Sequence, residues 1–170
     1  MPVRTLDLLR HAKSSWDDPG LPDHDRPLAP RGRRATQLLA EHLRREGIGP
    51  ELVLCSTARR ARETFEGIAP ALGDDVEVRF EAELCGASGD ELLARLRTIP
   101  EAIESALLIG HNPSIQTLAL RLAGSGDELE RVRSKYPTGA LATLTFPGGW
   151  DELEPGAAEL VGFVRPKDLG

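Results

Sequence analysis

The apolar positions of this chain come in two textures, short solid runs and longer stretches where they recur every three or four residues. Solid runs fit strands covered on both faces, and the three-to-four spacing fits helices with one buried side. A first strand is expected over about residues 3–9, a second over Leu52-Val53-Leu54-Cys55, a third over Val76-Glu77-Val78 and a fourth over 106–109. Two closing strands follow a polar loop, at 140–146 and about 159–164. Among them, Ala35, Leu38, Leu39 and Leu43 share one side of a helix that starts near Pro30, runs to about Arg45 and stops at Gly47 and Gly49. Further helices are expected over about 58–71, capped by Ser56 or Thr57, and over 91–97 with Leu92, Leu93 and Leu96 aligned. Another starts at Asn112-Pro113 and turns Ile115, Leu118, Ala119 and Leu122 inward.

Strand and helix alternating in short units predict an α/β fold. A mostly parallel central sheet lies between helix layers, a three-layer α/β/α sandwich in one domain over residues 1–170. In such sheets ligands collect beyond the carboxyl ends of the strands. Arg10-His11, the segment from Ser56 to Arg60, and Gly110-His111 all lie just past expected strand ends, so one shared site is expected. Residues 12–29, rich in Asp, Pro and Gly, form a connection long enough to imply a functional loop.

Composition removes several classes of function. A net charge of −6 argues against non-specific nucleic-acid binding, which needs a basic surface. The basic residues are nonetheless clustered, at Arg31, Arg33 and Arg34, at Arg44 and Arg45, and at Arg59, Arg60 and Arg62. A local positive funnel for an anionic substrate is therefore compatible with the acidic total. The first nine residues lack the pattern of a secretory signal, and no apolar run approaches the ~20 residues of a membrane span. A cytoplasmic location is expected. Cys55 and Cys85 form no metal or redox motif, and each is expected to be a small buried apolar residue. Too few His, Cys and carboxylate residues cluster to suggest a metal, and no cofactor is expected.

Two histidines delivered at the ends of buried strands are costly unless they meet. Arg10 indicates what they meet around, because a guanidinium offers a planar fork suited to phosphate. His111 precedes a helix start whose free N–H groups and positive dipole end also favour an anion. Arg59, Arg60 and Arg62 crowd the first turns of a helix, where cations oppose the dipole; a solvated face accounts for two of them more easily than for all three.

These segments carry a family resemblance. Leu9-Arg10-His11-Ala12-Lys13-Ser14 resembles the Arg-His-Gly signature of the histidine phosphatase (phosphoglycerate-mutase-like) superfamily, with Ala12 in place of the usual glycine. Ser56-x-x-x-Arg60-Ala61-x-x-Thr64 is similar to its second motif and Gly110-His111-Asn112-Pro113 to its third. The SixA-type phosphohistidine phosphatase branch is the better match. It is suggested by Ser14-Ser15-Trp16, Asp25-Arg26-Pro27-Leu28 and Tyr136-Pro137-Thr138-Gly139-Ala140, and by the lack of large lid insertions.

The resemblance implies a phosphoglycerate-mutase-like fold and a metal-independent phosphatase. His11 is the implied nucleophile, with Arg10, Arg60 and protonated His111 holding the phosphoryl oxygens. Glu83 is the candidate general acid, and Ser14 a possible phosphate donor against simple turn capping. Its substrate would be a phosphorylated protein, such as a histidine phosphotransfer domain. The alternatives are a small phosphate ester on the same scaffold, or a non-catalytic phosphoprotein-binding module. Asp17 stands where many relatives carry asparagine and is not expected to touch phosphate. Arg59, His24 and His42 are expected to be surface or structural residues.

Overall fold

The computed structural model describes residues 2–170. In chain order its strands are β1 (Val3–Arg10), β2 (Leu52–Ser56), β3 (Glu77–Glu81), β4 (Ser105–Gly110), β5 (Ala123–Ser125), β6 (Leu141–Pro147) and β7 (Ala158–Val164). Its helices are α1 (Pro30–Glu46), α2 (Arg59–Ile68), α3 (Gly89–Leu96), α4 (Ser114–Leu122), α5 (Leu129–Ser134) and α6 (Pro166–Leu169). The strands form one sheet in the order β3-β2-β4-β1-β6-β7-β5. Only β6 runs against its neighbours, so the sheet is mostly parallel.

Alternation along the strands explains the layers. Leu6 and Leu8 of β1, Leu54 of β2 and Leu108 of β4 face one side, where Leu92 and Leu96 of α3 and Ile115, Leu118 and Leu122 of α4 close over them. Leu9, Val53, Leu107 and Ile109 face the other side, against Leu39 and Leu43 of α1 and Ala61 and Ile68 of α2. The central strands are buried on both faces, which is why they read as solid apolar runs. Each such leucine, fully removed from water, contributes about 1.5–3 kcal/mol.

Several boundaries differ from expectation for local reasons. β3 lies at 77–81 rather than 76–78, because pairing with β2 sets it (Leu52 opposite Glu77, Ser56 opposite Glu81). As an edge strand it needs no apolar run. The second helix ends at Ile68 and tightens to a 3-10 turn around Pro70, which has no N–H to continue the ladder. α3 begins at Gly89 because Ser88 caps it, accepting from the Glu91 N–H at 3.1 Å while Glu91 accepts from the Ser88 N–H at 3.0 Å. α4 begins at Ser114, just after the expected Asn112-Pro113 start. The polar loop before β6 contains β5 and α5.

Candidate active site

The parallel pairing of β1 with β4 sets Arg10 opposite Gly110. The next residue on each strand is a histidine, so His11 and His111 emerge side by side. Their ring centroids lie 5.2 Å apart, tilted by 54°. The strand end is pinned: the Arg10 N–H donates to Ala140 O at 3.1 Å and the His11 N–H to Gly110 O at 3.0 Å. β2 pairs with β4 on the other side, Cys55 opposite Ile109, which delivers Ser56 beside His111. Ser56 Oγ lies 2.8 Å from His111 Nε2. α2 then starts at Arg59 and brings in Arg60 on its first turn.

The hydrogen bonds assign the His11 tautomer. His11 Nδ1 lies 2.8 Å from the Ala12 carbonyl oxygen, which only accepts, so Nδ1 carries the proton and Nε2 keeps its lone pair. Burial pushes the His11 pKa down to about 3; nearby His111, Arg60 and Arg10 add to the fall, while the Ala12 bond opposes it. Burial, with Arg60 and Arg10, likewise takes His111 down to about 4 against the opposing charge of Asp23. The resemblance implied a protonated His111. That form belongs to the phosphoryl-bound state; in the free protein the lowered pKa favours the neutral ring, because burial beside two guanidiniums outweighs the opposing charge of Asp23.

Three buried side-chain atoms lack a hydrogen-bond partner among the described residues: Arg10 Nε, Arg60 Nε and His111 Nδ1. All three belong to the residues singled out in the sequence. Leaving a buried polar group unpaired costs about 1–3 kcal/mol, so their concentration marks a place prepared for an acceptor. Other nitrogens of both guanidiniums are already committed. Arg10 Nη1 donates to Tyr136 O at 3.0 Å, and Arg60 donates to Asp23 O at 2.8 Å and to Asp23 Oδ2 at 3.1 Å.

The other candidates are placed differently. Ser14 is buried, and its Oγ accepts from Arg26 Nη1 at 2.7 Å, which favours a role in bracing the loop. Glu83 is exposed on the 3-10 turn Ala82–Cys85, and its carboxylate makes no hydrogen bond among the described residues. It lines a separate cleft of about 520 Å³ with Glu81, Leu84 and Arg95, and none of Arg10, His11, Arg60 and His111 lines that cleft. Asp17 is exposed, and Arg59 pairs with Glu63 at 2.9 Å. His24 is exposed and bonds Thr57 Oγ1 at 3.1 Å, while His42 lies on α1 with its pKa lowered chiefly by burial.

Cys55 is buried and its thiol is pushed up to about 12. Cys85 corrects the expectation of a buried apolar residue. It is only half-buried, with its sulfur 3.1 Å from Ser56 Oγ and 3.3 Å from Thr57 Oγ1. Burial raises its pKa, but bonds from Ser56, Thr57 and the Ala58 backbone outweigh this and leave it lowered.

Sequence reasoning missed Asp23, whose carboxylate bridges Arg60 and Arg26. Loop length flagged its segment, but nothing distinguished it from Asp17, Asp18 or Asp25. Thr64 was visible only as a motif letter. Its Oγ1 donates to Arg60 O at 2.7 Å and accepts from the Ala12 N–H at 2.9 Å, tying the two site segments together. Among the described residues no group of three His, Cys, Asp or Glu is placed to hold a metal, and no helix is long and apolar enough to cross a membrane.

The family model of the histidine phosphatase superfamily (branch 1) matches residues 6–90. The chain belongs to this superfamily. Its activity is that of a histidine phosphatase. It is 40% identical over 163 residues to the uncharacterized protein Rv1276c of Mycobacterium tuberculosis, covering 94% of this chain and 100% of that one. It is 28% identical over 142 residues to phosphohistidine phosphatase SixA of Escherichia coli, covering 82% and 83% of the two chains. Among solved structures, one assigned to phosphohistidine phosphatase SixA from Nakamurella multipartitia superposes with a TM-score of 0.83 at 30% identity over 98% of both chains. The fold is phosphoglycerate-mutase-like, as a TM-score of 0.65 to a Plasmodium falciparum phosphoglycerate mutase at 18% identity shows.

Proposed function

We propose that this histidine phosphatase removes phosphoryl groups from phosphohistidine on a partner protein, through a phosphohistidine intermediate on His11. The similarity to Escherichia coli SixA supports the substrate. One observation in the site carries the reading: the carboxylate that reaches it is held ionised rather than as a proton-donating acid. Asp23 is the carboxylate that reaches Arg60, and its hydrogen bond from Arg26, with the Arg60 charge, holds its pKa below the usual range. Expelling an alkoxide needs a proton donor, whereas phosphohistidine can leave as neutral imidazole once its free ring nitrogen is protonated, near pH ~6.5.

The steps follow from the tautomer. His11 Nε2 attacks phosphorus, the P–N bond to the substrate imidazole breaks, and that imidazole departs with the proton it already carries. Arg10 Nε, Arg60 Nε and His111 Nδ1 donate to the phosphoryl oxygens. An arriving phosphoryl dianion supplies the counter-charge His111 lacks and raises its pKa, favouring its protonation only while substrate is bound. Water then attacks phosphorus on the opposite side, the bond to His11 breaks, and phosphate leaves with the water proton passing to solvent. Charge balance comes from the chain's own cations, so turnover is expected to persist in EDTA; its complete loss would overturn this mechanism.

Side-by-side turnover of a phosphohistidine protein, phosphoserine and small phosphate esters tests the substrate. The expected kcat/KM for phosphohistidine exceeds that for alkyl phosphates by about 10²-fold or more, the usual scale of a missing general acid. Equal values, or a short metabolite preferred, would instead make the protein a small-molecule phosphomonoesterase.

A further inference from the structure

The chain carries a net charge of −6, yet one concavity beside the site is lined by cations alone among its charged residues. Arg10 lines it and is thus shared with the phosphoryl site. The remaining cations are Lys13, Arg31, Arg34, Lys135, Arg165 and Lys167, and Leu38, Pro137 and Pro166 also line it. The groove holds about 550 Å³. Among the described residues only Arg165 of these seven is paired with a carboxylate, Asp168 at 2.9 Å.

Four separate segments build this groove, and the backbone locks them together. Gly32 of α1 packs on the Lys13 carbonyl so closely that a Cβ there would sit 2.1 Å from the oxygen. That contact holds Lys13, Arg31 and Arg34 on one wall. Gly139, at φ +77°, leaves room for Pro166, whose Cγ would lie 2.8 Å from a Cβ. That contact seats the 137–139 turn against α6. Gathering like charges on a fixed scaffold costs self-repulsion, which an anionic partner relieves. The first turn of α1 deepens the cost, since its arginines oppose the helix dipole with no acid to offset them.

We infer that this groove docks an acidic segment of the substrate protein, carboxylates lying beside the phosphohistidine that enters the site. The inference rests on the phosphohistidine reading above and deepens it by stating what the partner carries. Long, exposed lysines and arginines suit a carboxylate-rich protein surface; a small ligand would call for a few convergent, fixed polar groups.

The test compares two histidine-phosphorylated peptides of equal length, one with aspartates around the phosphohistidine and one with serines there. p-Nitrophenyl phosphate serves as a substrate too small to reach the groove. The acidic peptide is expected to have a KM about tenfold lower, the scale of a few exposed ion pairs. An Arg34→Glu/Lys167→Glu protein is expected to lose that advantage while keeping its kcat/KM on p-nitrophenyl phosphate within about twofold. The milder Arg34→Gln/Lys167→Gln protein is expected to move the same way. Equal KM for both peptides overturns the groove and leaves the phosphohistidine reading standing, and a matching loss on p-nitrophenyl phosphate also overturns it. If neither peptide turns over while p-nitrophenyl phosphate does, the phosphohistidine reading fails, and anisotropy of a labelled, unphosphorylated acidic peptide judges the groove independently. Binding that disappears in the Arg34→Glu/Lys167→Glu protein supports docking; no binding, or binding of tripolyphosphate in its place, overturns it.

Discussion

Burial favours neutral rings at His11 and His111, and that preference is testable. Imidazole NMR of the free protein is expected to show neither ring titrating between pH 5 and 8, since their pKa values lie near 3 and 4. Adding a phosphate-like oxyanion is expected to move the His111 transition upward, because the dianion supplies the missing counter-charge. A His111 that titrates at its ordinary 6.5 in the free protein would contradict this. Depressed histidine pKa values contribute stability that is present above about pH 6.5 and is lost as pH falls through about 4 and 3. Asp7 works in the opposite sense. It is buried on β1, accepts from Thr143 Oγ1 at 2.5 Å, and is pushed up to about 6 by burial. Its contribution is present below its ordinary 3.8 and is lost as pH rises through about 6. Asp7→Asn keeps the acceptor and is expected to stabilise the protein at pH 8 by about 1–3 kcal/mol, with little change near pH 3. Urea unfolding at the two pH values checks it, and a destabilised variant at pH 8 would refute it.

Among the elements, the loop 12–29 shows where sequence reading reached its limit. Its length marked it as functional, and the structure makes it an ordered arch. Ser14 bridges to Leu28, the Arg26 guanidinium stacks over Trp16 at 3.5 Å, and Asp23 reaches across to Arg60. None of these pairings follows a period that a sequence displays, since each depends on where the arch meets α2. The Asp23 carboxylate takes Arg60 Nη2, next to the free Nε, and its charge competes with an arriving phosphoryl group for the same guanidinium. Asp23→Asn is therefore expected to lower the KM for p-nitrophenyl phosphate severalfold, and a raised KM would show that Asp23 positions Arg60 rather than competing for it. Glu83 illustrates the converse. A carboxylate after an expected strand looked suitable as an acid, but a 3-10 turn carries it into the cleft with Arg95. A strand boundary a few residues from where the sequence suggested is enough to redirect a side chain.

For the whole molecule, the sheet and its layers were legible because periodicity is a property of the chain itself. The apolar runs at Leu52–Cys55 and Leu107–Ile109 could only be central strands, and the helical spacings marked the faces that cover them. The meeting of His11 with His111 was legible too, since strands ending in the same plane must deliver their next residues together. Hydrogen-bond partners were not legible, and neither was the basic groove, whose cations run from Arg10 to Lys167 along the chain and converge only through packing. The chemistry nonetheless turns on one atom, His11 Nε2. A short reaction with a labelled phosphodonor, quenched in base and digested, followed by NMR of the labelled peptide, locates the phosphoryl group. The phosphorylated nitrogen is expected to be Nε2 of His11, with no acid-labile label in His11→Ala. Label on Nδ1, label on another residue, or turnover with no covalent intermediate would contradict it.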